Sequence, residues 1–276
     1  YFYGSILGDP SYRDADAHSL QMRHWALAIA TYSAAVSIKM NVLLFAPGVL
    51  AVLIKQATPK DLVRGLLGGV VLQAAAAAPF LAVAPQSYIA RAFEFSRVFQ
   101  HVWTVNWKFL PEDWFVSQRF AVWLIIGHLF LLWRFADQRW FLTDGGMKKA
   151  WKAFCDRGAR DDAAPAVPVS NDFILYIVFT SVLAGMVTAR SLHFQFYCWY
   201  FHMLPFLLLR STLPIWLVLG VLTGIEVLWN FFPSTPATSA GVVVLNLFTL
   251  VAIWGLPAAL PRAKSKVLGK RPTRKH

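Results

Sequence analysis

Apolar residues in this chain run on without the regular polar positions that would mark one solvated face of a soluble helix. Uninterrupted runs occupy 65–83, 119–133, 172–189, 194–209, 213–229 and 240–258. Each approaches the roughly 20 residues a helix needs to cross the hydrocarbon of a bilayer, so six membrane spans are predicted. A seventh apolar region, 24–54, is too long for one simple crossing and is interrupted by Lys39 and Asn41, then by Pro47. It is expected to form two short arms that turn at Lys39. The predicted fold is therefore all-α, a polytopic bundle of six to eight transmembrane helices over 24–260. A divergent segment 1–23 precedes it and a basic tail 261–276 follows.

Composition agrees with the pattern. With 57% hydrophobic and only 14% charged residues, 276 residues are too apolar to fold as a water-soluble globule. A net charge of +12 would suit nucleic acid if it were gathered on one face, but 18 of the 26 Lys and Arg fall in four short stretches between apolar runs. Nucleic acid is not an expected partner; membrane lipid is. Positive residues collect in cytosolic loops, which places the loop 134–170 and the tail from Arg262 on the cytosolic side. Threading then brings Lys55, Lys60, Arg64 and Arg210 to that side as well. The loops 84–118, 190–193 and 230–239 are left on the far face with Arg91, Arg97, Lys108 and Arg190, and with Arg119 at the boundary. Eighteen cations against five decide the topology. The opening Tyr1-Phe2-Tyr3 carries no charged leader or cleavage site, so no removable signal peptide is expected. Cys155 and Cys198, one in a basic loop and one in an apolar run, make no disulfide framework.

Three polar runs interrupt the apolar pattern on the far face. Arg190 to Pro205 sets one Arg, two His and a Gln among aromatics where two membrane-length segments meet. Such groups lose free energy in hydrocarbon unless paired or wet, so they mark a pathway or a site, although the aromatics alone also fit an interfacial belt. His101 to Asp113 combines hydrogen-bonding groups with Trp103 and Trp107, a mixture that suits a sugar or an amphipathic interfacial helix. Glu226 to Ser234 puts a carboxylate inside a span, where it needs a partner or a proton. Asp14-Ala-Asp16 has the look of the metal motif of soluble nucleotide-sugar transferases, but the threading places it in the cytosol. No His or Cys cluster has metal-ligand spacing, and no cofactor is expected.

Ser33 to Gly48, Thr104 to Glu112 and Arg190 to Pro205, together with Glu226 to Ser234, closely resemble the endoplasmic-reticulum alpha-1,3-mannosyltransferases of asparagine-linked glycosylation. The motifs come in order from about residue 30 to about residue 235, which is far more specific than a lone short pattern. The resemblance implies a glycosyltransferase of family 58 with a GT-C type fold in the endoplasmic-reticulum membrane. It implies dolichyl-phosphate-mannose as donor and the five-mannose dolichyl-diphosphate-linked oligosaccharide as acceptor, joined in alpha-1,3 linkage on the luminal side without a metal. The far face of the threading is where that chemistry occurs.

Displacing phosphate from the anomeric carbon with inversion builds positive character on the sugar and negative charge on the leaving group, while the attacking hydroxyl loses a proton. Arg190 can hold phosphate oxygens bidentately, with Lys39, Lys108, His193 and His202 as further cationic or donor candidates. Asn106, Gln195, Tyr197 and Tyr200 are candidates to bond sugar hydroxyls, and Trp103 and Trp107 to stack on pyranose faces. The family resemblance also implies an acidic Glu-Ile-Asp-Trp type motif in a first luminal loop, and this chain contains no such segment. Glu112 and Glu226 are the remaining far-face carboxylates to test, and no catalytic base is assigned. Two other readings remain: a catalytically incomplete fragment or scaffold of that enzyme, and a membrane carrier whose polar path is lined by Lys39, Arg190 and Glu226.

Overall fold

The computed structural model describes residues 25–92, 100–159 and 169–255, and every regular element among these described residues is a helix. The amino-terminal arms are α1 (Trp25–Ile38) and α2 (Ala46–Gln56), separated by a 3-10 turn at Met40–Phe45. Helix α1 stops at Lys39, whose backbone is extended at φ −152° and ψ 122°. Pro47 stands in the first turn of α2, where its missing N–H breaks no helical bond. Next come α3 (Pro59–Val83), α4 (Pro85–Ala92), α5 (Glu112–Val116), α6 (Gln118–Phe135) and α7 (Met147–Ala159). The chain continues through α8 (Asn171–Thr188), α9 (Tyr197–Tyr200), α10 (Met203–Leu208), α11 (Ile215–Trp229) and α12 (Pro236–Trp254). Four of these, α3, α6 with the turn that extends it to Trp140, α8 and α12, are long and apolar enough to cross a membrane. The shorter apolar helices α1, α2 and α11 complete an all-α polytopic membrane protein.

The starts of the long helices follow from local chemistry. Thr58 and Asp61 form a reciprocal capping box at α3, and Thr235 and Thr238 do the same at α12, each with a Pro in the first turn. Ser117 and Ser170 accept the backbone N–H of Phe120 and Phe173 at 3.2 Å and so cap α6 and α8. Helix α8 is apolar all round, and its middle, Tyr176–Val187, is buried throughout, because α2, α6, α10 and α12 pack around it. Its polar side chains are satisfied inside that core. Trp140 Nε1 donates to Thr180 Oγ1 at 3.0 Å, and Ser181 Oγ accepts from Gly48 N–H while donating to the Leu44 carbonyl. By contrast α3 packs mainly on α1, with smaller contacts to α4 and α7, and leaves Leu66, Leu67, Val70 and Val71 exposed. An apolar stripe of that length on a soluble protein would drive aggregation; against lipid tails it is at rest.

The expected single span 194–209 is corrected. It is a 3-10 turn at Phe194–Phe196 followed by α9 and α10, interrupted at Phe201 and His202. Pro205 has no N–H to offer the Phe201 carbonyl, which instead takes the Leu204 N–H at 3.3 Å in a tighter turn. The segment still travels the length of the bundle. Its start lies beside Phe232, with Phe194 and Phe232 ring centroids 5.4 Å apart, and its end at Arg210 pairs with Asp172 at 3.1 Å.

Polar groups are sorted to two ends of α8, whose 18 residues span about 27 Å, close to the thickness of a bilayer core. At its amino-terminal, basic end, Lys55 is buried and paired with Asp144, and Arg157 donates to the carbonyls of Ile54 and Ala57 that end α2. Of the described cations, Lys55, Lys60, Arg64, Arg134, Arg139, Lys148, Lys149, Lys152, Arg157 and Arg210 belong to this end. Lys39, Arg91, Lys108, Arg119 and Arg190 belong to the other. Arg97, Arg160, the Asp14-Ala-Asp16 pattern and the basic tail lie outside the described residues.

Candidate functional site

The end opposite the basic one is built on a loop, Thr104–Lys108, clamped between the residues after α8 and those at the start of α12. Asn106 is the clamp. Its side-chain amide donates to the Ala189 carbonyl at 2.7 Å, and its Oδ1 accepts the Leu192 N–H and the Thr104 hydroxyl, both at 2.8 Å. The Val105 N–H returns to the Leu192 carbonyl at 2.7 Å. On the other side Ser234 donates to the Thr104 carbonyl at 2.8 Å, and Ser239 accepts the Lys108 N–H at 2.7 Å. Trp107 takes up the positive φ of 55° that this turn requires, an uncommon conformation for a bulky residue. Its indole N–H donates to the Ala189 carbonyl at 2.9 Å while its ring meets Phe120 edge-on at 5.5 Å.

One segment, 190–199, then meets α5, the turn at Trp103, α11 and Lys39. The Arg190 Nε donates to the Phe115 carbonyl at 3.2 Å and its Nη2 approaches the Ser117 carbonyl at 3.5 Å, so the guanidinium joins α5 to the segment. Burial lowers its pKa from the ordinary value, and the guanidinium still stays charged at neutral pH. His193 Nδ1 lies 3.1 Å from the Trp103 carbonyl, and Trp103 leaves its ring more than half exposed. The Tyr197 hydroxyl donates to one oxygen of Glu226, and Asn230 Nδ2 donates to the other at 3.0 Å. Both oxygens of this exposed carboxylate are therefore oriented. Lys39 Nζ stands 5.2 Å over the Trp199 ring.

The sequence candidates divide by what they have left to offer a ligand. Arg190, His193, Tyr197, Glu226, Lys39 and Trp103 gather along the 190–199 segment, and Gln195 is exposed on it. Lys108 lies beside them with its Nζ on the Val102 carbonyl at 2.7 Å. Glu112 is exposed at the first turn of α5, the helix whose last carbonyls meet Arg190. Asn106 is 2% exposed and its side-chain amide makes three hydrogen bonds to backbone and Thr104, so it positions the loop from within. Tyr200 is also buried, accepting from Trp229 Nε1 at 2.7 Å and facing Asn246 Oδ1 at 3.3 Å. His202, expected at the membrane edge, packs edge-on against Phe179 with centroids 6.1 Å apart, halfway along α8. The break at Phe201 and His202 puts it there. Asn230, Ser234 and Ser239 hold the site together without standing out in the sequence, since short polar residues beside helix ends ordinarily serve as caps. Among the described residues no three His, Cys, Asp or Glu side chains gather as a metal site.

A family model described as ALG3 protein matches residues 15–239. A relative from Arabidopsis thaliana, named Dol-P-Man:Man(5)GlcNAc(2)-PP-Dol alpha-1,3-mannosyltransferase, is 42% identical over 245 residues, covering 87% of this chain and 56% of the relative. The human protein of the same name is 39% identical over 253 residues, covering 88% and 55%. A probable enzyme of that name from Dictyostelium discoideum is 38% identical over 238 residues, covering 84% and 51%. The chain thus spans about half the length of the curated relatives it matches. No solved structure matches it. A family match that runs through both arms, the clamped loop, the 190–199 segment and Glu226 includes every part of the site just described, and the chain belongs to the ALG3 protein family.

Proposed function

We propose that this chain takes part in transferring mannose from dolichyl-phosphate-mannose, in alpha-1,3 linkage, to the five-mannose dolichyl-diphosphate-linked oligosaccharide on the luminal side of the endoplasmic-reticulum membrane. The observation that carries the reading is the gathering of Arg190, His193, Tyr197, Glu226 and Lys39 along one segment, at the end of α8 away from the basic loops. A donor whose phosphate sits at the headgroup level and whose tail lies in lipid meets such an end directly.

Arg190 is placed for the phosphate. Its planar, permanently charged fork suits phosphate oxygens, and carbonyls of α5 and its cap fix its orientation before the ligand arrives. Lys39, Lys108 and His193 add positive charge or donors along the same rim, where charge develops on the leaving group. Glu226, held by Tyr197 and Asn230, is assigned to accept a hydrogen bond from a sugar hydroxyl, and the exposed ring of Trp103 to flank the sugar. The base that takes the proton of the attacking hydroxyl belongs on the side of the sugar opposite the phosphate. No residue of this chain is assigned to that role. No metal step is invoked, because Arg190 and its neighbours supply the charge that a metal would otherwise provide.

The test is complementation. Cells that accumulate the five-mannose lipid-linked oligosaccharide are supplied with this chain, and the lipid-linked glycans are profiled. Elongation to six mannoses is expected. Absence of elongation, with the chain inserted in the membrane at normal abundance, would overturn the reading that these residues suffice for transfer.

A further inference from the structure

At the basic end, away from the transfer site, α2, the end of α6 and α7 enclose between them an outward-opening cavity of about 540 Å³, within the range of small-molecule sites. Eleven of its twelve lining residues are apolar or aromatic, among them Leu50, Ile54, Leu132, Trp133 and Trp151, and the twelfth is Lys148. The one indole N–H on its deep side, from Trp140, is already spent on Thr180. A wall of this kind offers almost no hydrogen-bonding groups to the hydroxyls of a sugar or the edge of a base. It suits a hydrocarbon chain with an anionic group at its mouth.

Helix α7 supplies that mouth. Ala150 and Phe154 are buried and Arg157 is half-buried, which sets one stripe of the helix against the bundle. Lys148 and Lys152, four residues apart, share the outward face, and Lys149 is exposed beside them. Asp156 is exposed on the same helix, Asp144 is engaged by Lys55 and Asp137 accepts the Met147 N–H at 3.3 Å, so the three lysines are the charges left to face an incoming headgroup. Trp133 and Trp151 are each about half exposed, at 48% and 52%, on either side of the opening. Indoles in that position mark the depth at which headgroups give way to acyl chains, and a lysine-rich face beside an apolar one is the pattern of a helix lying at an anionic membrane surface.

We propose that this cavity holds one acyl chain of an anionic phospholipid from the leaflet at the basic end, with the headgroup phosphate on Lys148, Lys149 and Lys152. The site is independent of the transfer reaction, and its test leaves that reading untouched.

The delipidated 276-residue chain in detergent is titrated with phosphatidylserine, phosphatidylcholine and dolichyl phosphate, and retained lipid is counted by native mass spectrometry. One phosphatidylserine is expected per chain, at least tenfold tighter than phosphatidylcholine and not displaced by dolichyl phosphate at equal concentration. The triple substitution Lys148→Ala, Lys149→Ala, Lys152→Ala should weaken retention roughly fivefold per lysine, on the order of 100-fold in all. Leu50→Trp, which fills the cavity from an exposed position, should abolish retention with all three lysines in place. All four side chains are exposed, and an unchanged thermal midpoint verifies that each variant is folded. Equal retention of phosphatidylserine and phosphatidylcholine, or retention indifferent to either variant, would overturn the site. Preferential retention of dolichyl phosphate would overturn the assignment to phospholipid.

Discussion

Asn106 and Arg190 lie close together at one end of the bundle and illustrate two uses of a polar side chain there. The buried amide of Asn106 makes three side-chain hydrogen bonds, to Ala189, Leu192 and Thr104. Asn106→Ala removes all three and leaves a backbone N–H and a carbonyl without those partners. At about 1 kcal/mol for each bond, the expected loss is roughly 3 kcal/mol, read as a lowered thermal midpoint in detergent. Gln195→Ala, at an exposed position, should shift the midpoint little. Arg190 faces the other way. Arg190→Lys keeps a charge but loses the fork that spans the Phe115 and Ser117 carbonyls, and mannose transfer in microsomes should fall on the order of 100-fold while the protein still folds. Unchanged transfer would remove Arg190 from the phosphate pocket. Both residues stood out in the sequence because polar groups are conspicuous among aromatics. Their different jobs were not legible there, because Asn106 is defined by carbonyls and N–H groups 83 and 86 positions away.

Helices were more legible than side-chain roles, for a physical reason. A helix satisfies its own backbone in lipid, so an apolar run of sufficient length is close to a complete specification, and α3, α6, α8, α11 and α12 fall where those runs do. The segment 194–209 has the same composition but breaks, since one missing N–H at Pro205 outweighs apolar content once α8 and α12 can cover the loosened backbone. Close helix approach is the other feature hidden from composition. A Cβ on Gly48 would stand 2.8 Å from the Val178 Cα and 3.0 Å from the Ile177 carbonyl oxygen, so α2 can cross α8 only with glycine there. Gly48→Ala is expected to cost about 1–3 kcal/mol by thermal denaturation, because the neighbours are backbone atoms that cannot rotate away. Gly220→Ala on α11 meets nothing within 4 Å and should be neutral or slightly stabilising through helix propensity. Equal effects at the two positions would contradict the packing of α2 on α8.

The molecule as a whole is asymmetric along α8, and the proposed chemistry depends on which end faces the lumen. Ten described cations at one end against five at the other reproduce, in three dimensions, the bias from which the topology was inferred. The chain carries its own reporter of that arrangement: Cys155, exposed on α7 among the lysines of the basic end. In sealed microsomes with the cytosolic face outward, a membrane-impermeant maleimide should label Cys155 at once. With Cys155 and Cys198 replaced by Ser, a cysteine introduced at exposed Glu112 should react only after the membrane is permeabilised. Glu112 opens α5, whose Phe115 carbonyl accepts from Arg190, so its label reports the side on which the phosphate pocket lies. If Glu112→Cys were labelled in sealed vesicles and Cys155 only after permeabilisation, Arg190, Tyr197 and Glu226 would face the cytosol. The sugar of a luminal lipid donor would then sit a bilayer's thickness from the residues proposed to receive it, and no rearrangement of loops at either end closes a gap of about 27 Å.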